Sequence, residues 1–583
     1  MKIFSKSPQG RTVCIRTSRA TIYLLSLTLF HTNVHAQVPP QQTAQAPSAG
    51  SILEGIKTQR PIFTLPQPGK DLEHASLLED ETGGERFTVG TVHFVGNQRV
   101  ETSVLQKLIK PYIDSPVSFT ELSKALDALT LYYRDEGWLV RIILPEQDIT
   151  NGVLVIQILE ASLGQILIDN QSKHVSSERV QAWIYNAIPR RTSISLAEFE
   201  RAMLSLNDQP DLRVSNSLKE GAYPGETILL LTVTDKPAVE GVVGVDNFGQ
   251  YATGLNRVSA SISLNGLKGV GEQVNLFGLY TKGSNYERVA VTAPMSESGL
   301  RGGINASYLT YGVIEDKFSQ LQAHGQSNSQ GAELTYPVIR SQFTNLFVLG
   351  NYNYSSFSNF AVAQATSQYS TSVFQVSLSG NHQDGFFSGG VNSGSVVAST
   401  GMVYLNNSPS LSADQSGPQV NGYFNKLRYT LNRQQSITQN LTAYLGTSGQ
   451  FASKNMDPSE QLYLGGPYGV RAYASGQASA SQGTLSTFEL LQTLPMHFVI
   501  TGFYDYAGVQ SYKKSNFSGA PADNAYALQG IGTSLGWSNS RGLQIKGMWA
   551  ARTGNLPISV AQSLNQNSGN CCNRFWLTAS VPF

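Results

Sequence analysis

Charge is scarce in this chain of 583 residues: 14% are Asp, Glu, Lys or Arg, and 41 basic residues nearly cancel 40 acidic ones. A nucleic-acid footprint needs a clustered excess of Lys and Arg to displace counterions from phosphates, so no nucleic-acid partner is expected. Cysteine is almost missing. Of the three present, Cys14 falls in a segment expected to be removed, and the vicinal pair Cys571-Cys572 cannot complete a structural zinc site. Two thiols there suit a plain structural role, such as a loop disulfide in an oxidising compartment. Also absent is any run of about 18 apolar residues, which excludes a helix that spans a bilayer. No P-loop occurs, and of 8 histidines only His324, His382 and His497 follow Pro237, none at a Ser/His or metal-ligand spacing. An enzyme is therefore the least expected reading, and neither a cofactor nor a metal is expected.

What is present divides the chain. Residues 1–36 read as a signal peptide: Lys2, Lys6, Arg11, Arg16 and Arg19 precede the apolar run Ile22 to Phe30, and Val34-His35-Ala36 offers small residues for cleavage. Residues 37–85 are rich in Pro, Gln and Gly and read as a mobile linker. Within it, Ser51 to Lys57 has the pattern of a two-turn helix ended by Pro61, too short to hold alone in water and so in need of a partner surface or a pore.

Residues 86–160 and 161–236 repeat one another. Ser118-Phe119-Thr120-Glu121 has the form of a capping box, and Ser195-Leu196-Ala197-Glu198 repeats it 77 residues later. Behind the first, Phe119, Leu122, Leu126 and Leu129 fall on one helical face; behind the second, Leu196, Phe199, Met203 and Leu206 do the same. Each unit reads β-α-α-β-β, a small α+β domain with helices on one sheet face and an open sheet edge.

From Pro237 onward helical periodicity gives way to alternating strands and turns. Near the C-terminus Arg574, Trp576, Thr578 and Ser580 alternate with Phe575, Leu577, Ala579, Val581 and the terminal Phe583. Strands with one apolar face, aromatics such as Trp537, Trp549, Tyr504 and Tyr506 in girdle positions, and an export signal together predict a transmembrane antiparallel β-barrel over 237–583, of about sixteen strands. Long loops are expected near 313–327, 355–370, 406–419, 453–482 and 554–573. The loop 453–482 holds Gly465-Gly466-Pro467-Tyr468-Gly469-Val470-Arg471-Ala472-Tyr473, whose glycines allow tight turns, and it is expected to fold into the lumen. Alternation across Ile500 to Tyr506 turns Asp505 inward, since a carboxylate facing lipid is strongly disfavoured. An Arg471 to Asp505 contact would hold the loop; Glu489, on the preceding strand, is the rival partner.

Taken together, a signal peptide, a proline-rich linker with a short helix, two β-α-α-β-β units and this barrel resemble the outer-membrane transporters of two-partner secretion, the TpsB family, whose small units are called polypeptide-transport-associated or POTRA domains. Asp246-Asn247-Phe248-Gly249 is similar to that family's first-strand signature, and Gly269-Val270-Gly271-Glu272-Gln273 to its glycine-rich turn. Val470-Arg471-Ala472-Tyr473 resembles the Val-Arg-Gly-Tyr tip of the sixth extracellular loop, and Phe503-Tyr504-Asp505-Tyr506-Ala507 the Phe-x-Asp-x-Gly strand motif; Ala472 and Ala507 stand where the family has glycine. The resemblance implies a lock formed by Gly469, Val470, Arg471, Tyr473 and Asp505. It also implies an outer-membrane pore with periplasmic POTRA domains that exports a large unfolded client of adhesin, haemagglutinin, haemolysin or haem-binding type. Outer-membrane lipid and the barrel assembly machinery are the other expected partners. The alternative of the same architecture is an assembly factor that inserts other outer-membrane proteins; a passive porin has no use for docking domains.

Overall fold

The computed structural model describes residues 47–57, 86–113, 116–149, 152–190, 192–566 and 572–583. The expected signal peptide, most of the linker and Cys571 lie outside the described residues. Two small α+β units precede a barrel. In the first, β1 (Thr91–Val95), α2 (Thr102–Ile113), α3 (Phe119–Asp135), β2 (Val140–Ile143) and β3 (Val153–Glu160) form a sheet of order β1-β3-β2 under two helices. The second repeats it with β4 (Ser162–Asn170), α4 (Ser177–Ala187), α5 (Leu196–Asn207), β5 (Leu212–Glu220) and β6 (Glu226–Asp235), in the order β4-β6-β5. Each has its own apolar core, centred on Leu105, Leu129, Tyr133 and Ile156 in one and on Val180, Ile184, Leu206 and Leu229 in the other.

Two expectations about these helices change. The first capping box forms, with the Glu121 amide donating to Ser118 Oγ at 3.2 Å and the Ser118 amide to Glu121 Oε2 at 2.8 Å. The second does not: Ser195 caps α5 with no side-chain hydrogen bond. Its backbone is drawn instead into a bridge with Trp138 of the first unit, and Leu196 donates to the Gly137 carbonyl at 2.9 Å. Phe119 also leaves the buried face, which runs through Leu122, Ala125, Leu129 and Tyr133. At the first helical position it is 59% exposed and its ring lies 5.2 Å from that of Phe87.

Sixteen antiparallel strands then close a barrel. They are β7 (Val239–Asp246), β8 (Arg257–Asn265), β9 (Gln273–Thr281), β10 (Ser284–Pro294), β11 (Arg301–Gly312), β12 (His324–Arg340), β13 (Thr344–Ala361), β14 (Gln364–Asp384), β15 (Gly390–Tyr404), β16 (Gly422–Ser436) and β17 (Leu441–Ala452). After a long loop carrying the two-residue pair β18 (Leu462–Tyr463) and β19 (Ser479–Ala480) come β20 (Gln482–Leu494), β21 (Phe498–Gln510), β22 (Ala525–Ser538), β23 (Gln544–Thr553) and β24 (Asn573–Pro582). The helices α6 (Leu411–Ser416) and α7 (Ile558–Gln566) occupy two further loops. Outward positions such as Ile500, Leu535, Phe575 and Leu577 are exposed and apolar, as strands facing lipid require.

The expected loop at 355–370 is instead strand. β13 and β14 extend into it from both sides and meet at a two-residue turn, Val362-Ala363, both at positive φ (49° and 59°). Serines dominate this hairpin and hide its pattern; its apolar signal, Phe357 stacked on Tyr369 at 4.7 Å, faces the lumen. There it meets α1 (Ala49–Lys57), whose Ala49, Ile52, Leu53 and Ile56 pack against Leu309, Tyr311, Phe357, Tyr369 and Phe424. The second α+β unit sits on the opposite rim. Asp208 takes both Nε and Nη2 of Arg340 at 2.7 and 2.8 Å, Arg179 pairs with Asp211 and donates to the Gly269 carbonyl, and Arg201 donates to Tyr336 Oη and the Pro337 carbonyl.

Candidate functional site

The loop between β17 and β20 folds inward because its own apolar residues find a core there. Leu464, Val470, Ala472, Tyr473 and Ala480 are buried against the lumen-facing Phe503, Ala507, Val509, Leu528 and Ala550 of β21 to β23. Tight backbone turns let this happen. Gly466 has φ +112°, and a Cβ on Gly469 would lie 2.2 Å from the Leu464 carbonyl oxygen, so no side chain fits. The Val470 amide donates to that same oxygen at 2.7 Å. Neither Ala472 nor Ala507 is among the residues with positive φ, so alanine serves at both positions.

Arg471 is the pin. Its Nε and Nη2 donate to the two oxygens of Asp505 at 2.9 and 2.7 Å, its backbone amide donates to Asp505 Oδ2 at 3.0 Å, and Nη1 donates to Glu489 Oε1 at 2.6 Å. Its carbonyl accepts from Trp576 Nε1 at 2.8 Å, and the guanidinium carbon sits 3.4 Å from the centre of the Phe503 ring. Asp505 has no exposed surface and takes a further bond from Thr487 Oγ1 at 3.0 Å. The register explains the set: Thr487 pairs with Asp505 and Glu489 with Phe503 across β20 and β21, so both carboxylates face one lumen patch. Glu489 is thus a second partner and not a rival, since a guanidinium can donate in two directions at once. Tyr473 is fully buried under Arg552, whose guanidinium carbon is 4.4 Å from its ring and whose Nε donates to the Ala472 carbonyl at 3.3 Å.

The first-strand signature lies at the seam where the barrel closes. Asn247 fastens β7 to β24: its amide donates to the Leu577 carbonyl at 3.2 Å, its Oδ1 accepts from the Leu577 amide at 2.8 Å, and its Nδ2 donates to the Phe575 carbonyl at 3.0 Å. Asp246 accepts from Arg257 Nε at 2.7 Å, and a Cβ on Gly249 would lie 2.0 Å from the Gly254 carbonyl oxygen. At the other end of the seam Phe583 exchanges backbone bonds with Gly241 at 2.9 and 3.0 Å. Seam and loop are joined: Ser475 Oγ donates to the Phe248 carbonyl at 2.7 Å, and the Phe248 ring meets Tyr468 and Trp576 edge-on at 5.8 Å each.

Reasoning from sequence missed Trp576, Ser475 and Arg552 as parts of this site and gave the motif residues Phe248 and Phe503 no contact within it. One signal was available. Alternation already put Trp576 on the lumen side of the last strand, where a large aromatic needs a partner for its N–H.

Comparison with known proteins gives the chain its relatives. The family model described as haemolysin secretion/activation protein ShlB/FhaC/HecB matches residues 225–537, and a POTRA domain model of ShlB type matches 87–161. The heme/hemopexin transporter protein HuxB of Haemophilus influenzae is 27% identical over 92% of this chain and 95% of its own length. The outer membrane transporter CdiB of Dickeya dadantii is 24% identical over 78% of this chain and 80% of its own. The solved structure of CdiB from Escherichia coli, 19% identical, covers 93% of this chain and all of that one at a TM-score of 0.65, which speaks for the fold alone.

Proposed function

The chain belongs to the haemolysin secretion/activation protein family, and on that footing we propose how its parts divide the work of export. It is an outer-membrane transporter of two-partner secretion, with POTRA domains in the periplasm and a sixteen-strand barrel in the membrane. It carries a large secreted partner protein outward. We assign residues 86–160 and 161–236 as the two POTRA units, α1 as a plug of the resting pore, and Arg471 with Asp505, Glu489, Tyr473, Val470 and Gly469 as the lock that keeps the sixth loop in the lumen. The client binds first by adding an extended segment to a POTRA sheet edge, β5 beside α5, so that backbone hydrogen bonds tolerate many sequences and side-chain pockets choose the partner. It then displaces α1 and passes in extended form, and its folding outside makes the step irreversible. Insertion of the barrel itself uses outer-membrane lipid and the barrel assembly machinery.

The single observation that carries this reading is the arginine-pinned loop inside a closed barrel whose inner rim is clamped to a docking domain. Among adhesin, haemagglutinin, haemolysin and haem-binding clients, the heme/hemopexin transporters that match 92% of the chain favour the haem-binding kind. The test is co-expression with candidate exported proteins, scoring which one reaches the medium only when this chain is present. A haem- or hemopexin-binding protein is the expected answer. Export of none, with other outer-membrane proteins failing to insert when the chain is deleted, would instead make it an assembly factor.

A further inference from the structure

Four charged side chains meet where α1, the sixth loop and the barrel wall come together. Lys426 Nζ lies 2.5 Å from Glu460 Oε2 of the loop and donates to the Glu460 carbonyl at 3.3 Å. Arg428, two residues on along β16, donates through Nε to Gln450 Oε1 at 2.5 Å and through Nη2 to the Gln461 carbonyl at 2.9 Å. Its Nη1 is turned to α1, where Glu54 Oε1 lies 2.6 Å away. Two cations thus face two carboxylates, all largely buried, and one of the four charges sits on a removable element. Glu54 is the sole carboxylate of α1; the apolar Ala49, Ile52, Leu53 and Ile56, an Ala49 amide bond to Asn359 Oδ1 at 2.8 Å and a Ser51 side-chain bond to Tyr463 also seat the helix.

The wall half of this node is fixed by bonds that do not involve α1. Departure of the helix therefore leaves two cations and one carboxylate at the lumen surface, with the guanidinium Nη1 presented to whatever fills the pore. Leaving such a charge uncompensated is unfavourable, and a carboxylate is the group that both neutralises it and accepts a charge-assisted hydrogen bond from the one open nitrogen, Nη1. We propose that Lys426 and Arg428 form a carboxylate-receiving site in the pore wall, occupied at rest by Glu54 and taken over by Asp and Glu side chains of the exported chain. The site acts as a latch and as a relay: it holds α1 until an acidic stretch competes for Arg428, and then offers successive carboxylates a foothold. The inference rests on the export reading, since it names what the passing chain must carry.

The test uses the full-length protein in planar bilayers, with a short glutamate-rich peptide and its glutamine counterpart as probes. Glu54→Gln removes the charge at nearly constant shape and should raise the open probability several-fold. In that variant the glutamate peptide should block current at a concentration about tenfold lower than the glutamine peptide, the worth of one charge-assisted hydrogen bond. Adding Arg428→Gln, or Lys426→Met if the first fails to insert, should remove the difference. Resting conductance unchanged by Glu54→Gln, equal block by both peptides, or a preference that survives loss of the wall cations would each overturn the site. A client exported normally alongside any of those results would leave the export reading standing.

Discussion

At the scale of single residues the hold on the inward loop depends on geometry more than on charge. Arg471 reaches two carboxylates and an indole-donated bond from one position, so Arg471→Lys keeps the charge but loses the fork. Arg471→Ala strands Asp505, which has no exposed surface, and breaking a buried pair of this kind costs about 3–5 kcal/mol. Both Arg471→Ala and Asp505→Ala should reduce release of the client while barrels still insert, as read by heat-modifiable mobility; normal release by both would make the contact dispensable. Trp576→Phe keeps the ring against Phe248 and drops only the N–H to the Arg471 carbonyl. It should destabilise the folded-in loop by about 1 kcal/mol, measured as earlier protease cleavage within 453–481. Alternation made the inward turn of Asp505 readable. That Glu489 shares Arg471 was not readable, because register between strands decides which two carboxylates stand side by side.

Among the elements, α3 and α5 look alike in sequence and are capped differently. Ser118→Ala should cost about 1 kcal/mol in urea denaturation of residues 86–236, whereas Ser195→Ala should be close to neutral, since the Ser195 hydroxyl makes no cap bond. Equal losses would refute the distinction. The Glu121 carboxyl is held below its ordinary 4.5, first by the Ser118 backbone amide. Because its folded-state value is depressed, its part of the cap's stability is present above about pH 4.5 and lost as pH falls through the lower value. The wild-type advantage over Glu121→Gln should therefore shrink in that acid range. The matching sequence pattern could not reveal the difference: α5 starts where two domains touch, and contact with Trp138 and Gly137 overrode the local signal.

For the molecule as a whole, a polar clamp joins the second α+β unit to the barrel rim. Asp208, Arg179 and Arg201 engage the rim turns between β8 and β13. Arg340→Ala should loosen that unit and speed trypsin cleavage at Lys236, just after β6; an unchanged cleavage rate would mean the remaining arginines suffice.

The chain's own order of residues determined the architecture, because alternation, helical periodicity and turn chemistry are local and each repeats many times along the strands and the paired domains. It also determined that Arg471 and Asp505 belong inside, since lipid rejects a carboxylate at any register. Only the tertiary structure decided that α1 lies against Phe357 and Tyr369, that the 355–370 stretch is strand, and that Trp576 and Phe248 tie the loop to the seam. Those outcomes depend on closure: bringing the last strand beside the first creates neighbours hundreds of residues apart, and no local pattern encodes which lumen-facing groups will then share a space.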